Sequence, residues 1–200
     1  CYPCFEWLTG MIGRFMRGMP EIDIDIVQKF QFTGLEGLLN HHIDVLITPD
    51  IVKKESIVYE ILAEYQLVFL VSADHPLAGI KYLTPEHLSK ENLLTFPVPL
   101  ERLDILTNFM LPAHLEPAKL KQFESLEIML HMTALNRGVC VLPEWLADIR
   151  THNLGLRKIR IGKQGLYQKL LLAMRESDKA VSYIQEFIAV GQRTAKNSSI

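Results

Sequence analysis

The sequence predicts an α/β fold, and three observations carry that prediction. Strand-like and helix-like segments alternate along the whole chain. Two strands, IDVLIT over 43–48 and QLVFLVS over 66–72, are apolar with little alternation, as in a parallel sheet covered on both faces. Hydrophobic residues make up 48% of the 200, enough for a sizeable core in one domain or two small ones.

Each element follows from local pattern. Phe5, Leu8, Met11, Ile12, Phe15, Met16 and Met19 recur at spacings of three and four, which predicts an amphipathic helix over 5–19, ended by Pro20. In EIDIDIVQKF, residues 21–30, Ile22, Ile24 and Ile26 alternate with Asp23 and Asp25, the pattern of a half-buried strand. A turn at Phe32-Thr33-Gly34 leads into a short helix over 35–41. The strand over 43–48 stops at Pro49-Asp50, and two more strands are expected over 56–61 and 66–72. Thr84, Pro85 and Glu86 mark a helix start: an N-cap, a proline in the first turn, and acidic charge near the positive end of the dipole.

The second half continues the alternation. A strand over 92–96 is stopped by Pro97, and a helix over 103–111 by Pro112. A strand over 119–123 precedes Ser125, which caps a helix over 126–136, with Arg137-Gly138 expected to close it. VCVL over 139–142 is a buried strand ending at Pro143, followed by a short helix over 144–149. Strands over 156–161 and 168–174 and a helix containing 182–189 complete the chain, with 194–200 expected to fray. No repeat, low-complexity tract or Pro/Gly/Ser linker is present, so any two subdomains must be joined by strands.

Composition narrows the function. A net charge of −2 without blocks of like charge gives no electrostatic footprint for nucleic acid within these residues. No run of eighteen apolar residues exists to cross a membrane, and no signal-peptide pattern opens the chain. Three cysteines, Cys1, Cys4 and Cys140, form no disulfide framework, which suits a reducing cytoplasm. The chain starts abruptly at a helix, as a fragment of a longer protein would.

Cys1-x-x-Cys4 is the first chemical candidate. At a helix start its thiols could be activated, but the order of elements is not that of a thioredoxin. Zinc would need further ligands, and Cys140 stands alone while His41 and His42 point in different directions. The plainer reading is two small residues in a first helical turn. His131, beside Ile128, Met129 and Met132, reads as a core or rim histidine rather than a catalytic one. Arg102 and Asp104 read equally well as a surface pair or as ligand contacts. No nucleotide-binding, nucleophile-elbow or zincin motif occurs, so no catalytic residue, metal or cofactor is assigned, and the chain is not read as an enzyme.

Better signals lie where strands end, because open α/β sheets bind ligands beyond the carboxyl ends of their strands. The candidate ligand-binding residues are Pro3, Cys4, Gln31, Phe32, Thr48, Asp50, Phe96, Val98, Arg102, Ser125, Leu126 and Glu127. Backbone N–H groups that converge without a base describe binding rather than reaction.

The stretches HIDVLIT, YQLVFLVSADHPLA and FESLEIMLHMTALNRGVCVLP together resemble the effector-binding domain of LysR-type transcriptional regulators. The likeness covers essentially the whole chain, with DHPLA and RGVCVLP its most typical pieces. More narrowly, CYPCFEWLTG, ITPDI, FPVPLERLDI and LPEWLADI resemble the branch that controls methionine biosynthesis with homocysteine as co-inducer. The resemblance implies a periplasmic-binding-protein-like fold (type II): two α/β subdomains joined by two crossing strands, with the ligand in the cleft between. Subdomain I would hold 1–66 plus 174–200 and subdomain II 67–173, with the family's first sheet strand lying before Cys1. It also implies a homodimer formed through the segments 5–19 and 21–30, a tetramer of the full-length protein, and DNA contact only through a winged helix-turn-helix outside these residues. For homocysteine, the carboxylate would take helix-start N–H groups at Pro3-Cys4 or Ser125-Leu126, or Arg102. The ammonium would take Asp50 or Glu127, and the thiol chain a pocket of Phe32, Phe96, Val98 and Met129. A solute-binding protein of transport shares the fold and is the alternative, and a small thiol-dependent α/β enzyme ranks third.

Overall fold

The computed structural model describes residues 5–27, 29–30 and 33–197. In chain order the first elements are α1 (Phe5–Gly18), α2 (Gly34–Leu39), β1 (Leu46–Thr48), β2 (Ile57–Ser72), β3 (Tyr82–Leu83), α3 (Pro85–Leu88) and β4 (Asn92–Thr95). They are followed by β5 (Lys119–Gln122), α4 (Leu126–Ala134), β6 (Val139–Pro143), α5 (Glu144–Arg150), β7 (Leu156–Ile161), β8 (Leu166–Arg175) and α6 (Ser182–Asn197). The chain divides into two compact units, Cys1–Glu64 with Lys169–Ile200, and Tyr65–Gln168.

In the first unit, α1 buries Trp7, Met11 and Phe15, one per turn on one face. Phe15 meets Phe187 of α6 edge to face, with ring centroids 5.1 Å apart. β1 pairs antiparallel with β8, Leu46 opposite Ala173 and Thr48 opposite Leu171. Where β2 begins, the Ser56 carbonyl accepts the Glu176 N–H at 2.9 Å. Leu38 of α2, Ile57 and Ala173 form a small core, with Leu35, Leu46 and Tyr59 packed around it.

The second unit is built on a mixed sheet. The Tyr65–Ser72 half of β2 pairs antiparallel with β6 on one side and β7 on the other. Outward from β6, β4 and then β5 run parallel, with Leu94 opposite Cys140 and Lys121. Phe69, Val71, Leu83, Leu88, Leu93, Ile105, Met110, Val139, Ile159 and Ile161 form one continuous buried cluster.

Several expectations need correction. The described residues of 21–30 lie in no strand: 22–27 enters no ladder, and while Ile22 and Ile24 are half-buried and Asp23 and Asp25 exposed, Ile26 is exposed as well. Strand 43–48 shortens to Leu46–Thr48, and strands 56–61 and 66–72 are one continuous strand of sixteen residues. Leu62 and Ala63 stay buried across the expected gap while Glu64 simply faces outward. The apolar runs of β1 and β2 lie in antiparallel pairs. Lack of alternation reported cover on both faces and not strand direction. Helix 103–111 is a π-helix over Ile105–Met110, continued by a 3-10 turn over Leu111–Ala113 that accommodates Pro112. The end expected to fray is helical to Asn197, with Thr194 and Ala195 buried.

Gly138 has a different role from the one its position suggested. The left-handed residue closing α4 is Asn136, at φ 56°. Gly138 is needed for close approach: a Cβ there would lie 2.6 Å from Leu94 Cδ2 and 2.7 Å from the Asn92 carbonyl oxygen. Backbone cannot yield as a side-chain tip can, so Gly138→Ala is expected to cost about 2 kcal/mol in urea unfolding. A cost under 0.5 kcal/mol would show that β4 shifts freely.

Candidate functional site

In the second unit, β4, β5 and β6 run parallel, so their carboxyl ends share one edge. That edge carries Phe96–Val98 after β4, Phe123–Leu126 after β5 and Glu144 after β6. Phe123 N–H donates to the Thr95 carbonyl at 2.8 Å, which ties the first two ends together. Phe96 and Val98 are half-buried; Val98 N–H turns back onto the Phe96 carbonyl at 2.8 Å, and the Gln122 amide reaches the Val98 carbonyl at 3.5 Å. Gln122 escaped the sequence reading, since nothing in a strand's last residue announces a contact across the edge.

Arg102 ends a short 3-10 turn, with an exposed side chain and its N–H on the Pro99 carbonyl at 3.0 Å. Two residues on, Asp104 Oδ1 accepts from the Asn108 amide at 2.7 Å and Oδ2 from the Gln168 amide. Asp104 is therefore built into its own unit.

Ser125 caps α4 as its sequence predicted. Its Oγ accepts the Ile128 N–H at 3.3 Å and lies 3.1 Å from Glu127 Oε2, to which its hydroxyl donates. Leu126 is 2% exposed, so its side chain belongs to the core and only its backbone could meet a ligand. Glu127 is exposed and pairs with Arg150 at 3.6 Å, a contact of the kind worth well under about 1 kcal/mol. Met129 is buried in the core at 1% exposure. His131 is exposed and so is no core histidine, its Nδ1–H donating to the Glu127 carbonyl at 2.7 Å.

In the first unit, Thr48 closes β1 and is buried, its Oγ1 accepting the Asp50 N–H at 3.1 Å. Asp50 is half-buried. Pro3, Cys4, Gln31 and Phe32 lie outside the described residues, as does Cys1. Among the described residues no three His, Cys, Asp or Glu side chains converge as a metal site. No helix among them is long and apolar enough to cross a membrane.

Cys140, in the middle of β6, is fully buried, and burial pushes its thiol up to about 12. A group raised from 9.0 to about 12 on folding adds stability below about pH 9, lost progressively as pH climbs toward 12. With Cys1 and Cys4 replaced by serine, the folded protein is expected to give no thiol titration with a disulfide reagent at pH 8. Full titration should appear only in denaturant; rapid reaction in the native state would contradict the burial.

The profile of the family described as LysR substrate binding domain matches residues 1–196. The chain is 29% identical over 197 residues to the HTH-type transcriptional regulator MetR of Escherichia coli K12, covering 98% of this chain and 60% of that protein. MetR of Salmonella typhimurium is likewise 29% identical, over 94% of this chain and 59% of its own length. The chain thus spans about 60% of the length of these relatives, both named as regulators of transcription. The regulatory domain of MetR from N. meningitidis superposes with a TM-score of 0.84 at 30% identity, covering 99% of this chain and 91% of that one. It has also been solved with two cysteines, three positions apart, changed to serine, and that structure matches at a TM-score of 0.83. A BenM effector-binding domain shares the fold at 18% identity, with a TM-score of 0.83.

Proposed function

The chain belongs to the LysR substrate-binding-domain family, and on that premise we propose that it is the effector-sensing domain of a MetR-like regulator of methionine biosynthesis, with homocysteine as co-inducer. Likeness to MetR over nearly the entire chain is the observation that carries this reading. The whole protein would act in the cytoplasm and bind DNA through a winged helix-turn-helix outside these 200 residues. It would pair subunits through 5–19 and 21–30, with the tetramer as the full-length form.

On the second unit's carboxyl edge, the effector's carboxylate would take Arg102 or the first N–H groups of α4, a helix of nine residues. Its sulfur chain would lie against Phe96 and Val98. The ammonium would take Asp50 or Glu127, the latter engaged by Ser125 and Arg150 in this structure. Cys1 and Cys4 have the spacing of the cysteine pair changed in the N. meningitidis protein, and we assign Cys4 to the wall of the effector site.

Calorimetric titration with homocysteine, with methionine, cysteine and serine as controls, tests the assignment. Saturable binding of homocysteine alone is expected, and Arg102→Ala should weaken it by on the order of tenfold, the worth of one charged hydrogen bond. Absence of heat with a folded protein would overturn homocysteine as the effector.

The family's first strand also has a place in this reading. In the first unit, 22–27 and 43–47 line a groove of about 480 Å³, floored by Leu8, Ile12, Phe15, Ile184 and Phe187. Consecutive residues of both segments line it, as two strand edges would. An apolar strand from polypeptide outside residues 1–200 would fit there, parallel to 22–27 in a right-handed crossover through α1. Hydrogen exchange of 22–27 and 45–47 should slow in a chain extended before Cys1; unchanged exchange beside a protected α1 would refute the assignment.

A further inference from the structure

Ile105–Met110, beyond the loop proposed to hold the effector, forms a π-helix. An α-helix with one extra residue per turn gives up good geometry, and such turns concentrate where function needs them. Here the irregularity starts directly after the loop that carries Phe96, Val98 and Arg102. Leu103 O accepts from Leu106 N–H at 2.8 Å and from Thr107 N–H at 3.0 Å, and Leu115 N–H reaches back five residues to Met110 O at 3.2 Å. The segment mixes three hydrogen-bond spacings, so a shift by one residue exchanges bonds of similar strength.

Asp104 sits at the head of this segment and is gripped from two sides. Asn108, one turn on, donates to Oδ1, and Gln168, 64 residues away in sequence, donates to Oδ2. Gln168 is the last residue of the second unit: β8 passes into the first unit at Lys169. The same end of the unit holds Gln66, whose amide nitrogen would lie 3.3 Å from a Cβ at Gly165, and Phe109 of the π-helix packs 3.5 Å from the equivalent point on Gly162. The turn between β7 and β8 is thus braced on the π-helix, and its outgoing strand is latched to Asp104.

We infer that Asp104 is a positioning residue that couples the effector loop to the crossing strand β8 through Gln168. It rests on the effector reading above for the loop, but not on homocysteine making any particular contact. Effector held by the 96–102 loop would favour one register of the π-helix, which moves the Asp104 carboxylate and with it the start of β8. Asp104 would touch the strand and not the effector.

Hydrogen exchange with and without saturating homocysteine tests this on the intact chain and on Asp104→Ala and Gln168→Leu. In the unaltered chain, homocysteine is expected to change exchange in 166–172 by on the order of tenfold, a coupling of the usual allosteric size. Both variants should still bind homocysteine by calorimetry, within a few-fold, while the effector-dependent change in 166–172 disappears. Persistence of that change in both variants, or its absence from the unaltered chain at saturation, overturns the coupling. Loss of all homocysteine binding in the unaltered chain would instead overturn the effector assignment, and the two failures are distinguishable. Exchange in the buried strand β6, which neither the latch nor the proposed effector contacts touch, reports whether the variants remain folded.

Discussion

Arg175→Ala is expected to lower the unfolding free energy by about 3 kcal/mol, near the low end for breaking a buried charged network. Arg175 is 8% exposed and ends β8. Its Nη1 donates to the Leu38 and Ile43 carbonyls, both at 2.7 Å, its Nη2 to Asp44 at 3.0 Å and its Nε to Asp178 at 2.5 Å. One planar fork thus closes the C-terminus of α2, the strand approach at Ile43 and the turn after β8. Truncation would leave two carbonyls without their donor and Asp178 without its cation. Asp44 is exposed, and its loss alone should cost little. Lysine keeps the charge but cannot span four acceptors from one nitrogen, so Arg175→Lys should lose most of the same stability. Urea unfolding followed by circular dichroism checks both, and a loss under about 1 kcal/mol for alanine would mean water replaces the fork.

That residue also marks where sequence reading runs out. Thr84-Pro85 and Ser125 were legible because a cap acts on backbone two or three residues away, and the structure has both helices where those residues put them. Apart from Asp178, the partners of Arg175 lie 131 to 137 residues distant, and no local pattern encodes them. The same limit applies at the candidate site. Strand ends were visible from prolines, and the carboxyl edge of β4 and β5 falls at Phe96 and Phe123 as those prolines and turns suggest. Met129, expected in the pocket for the thiol chain, is buried in the core, because a helix period says which residues share a face and not whether that face meets a cavity or the core. The π-helix was invisible for a related reason: its side chains keep an apolar spacing that reads as an ordinary helix.

Phe69→Ala should be the costlier of the core truncations, about 4 kcal/mol. Phe69 is completely buried near the end of β2, between Val141 of β6 and Ile159 of β7. Its ring can be replaced by nothing on either neighbouring strand without moving backbone, so a cavity remains. The lesion lies in the second unit, yet β2 and β8 are each single strands that continue into the first. Cutting the stability of one half of such a strand should therefore be felt by the other. The two tryptophans make this measurable, since Trp7 lies in the first unit and Trp145 in the second, both buried. In a Trp145→Phe background the fluorescence follows Trp7 alone, and in a Trp7→Phe background Trp145 alone. Phe69→Ala and Arg175→Ala are each expected to shift both probes to the same lower urea midpoint, as one cooperative transition requires. Separate midpoints, with Phe69→Ala moving only the Trp145 signal, would mean that continuous strands do not make the two units one folding unit. In that case an effector bound to one unit would have to signal through local contacts such as the Asp104–Gln168 latch, and not through shared stability.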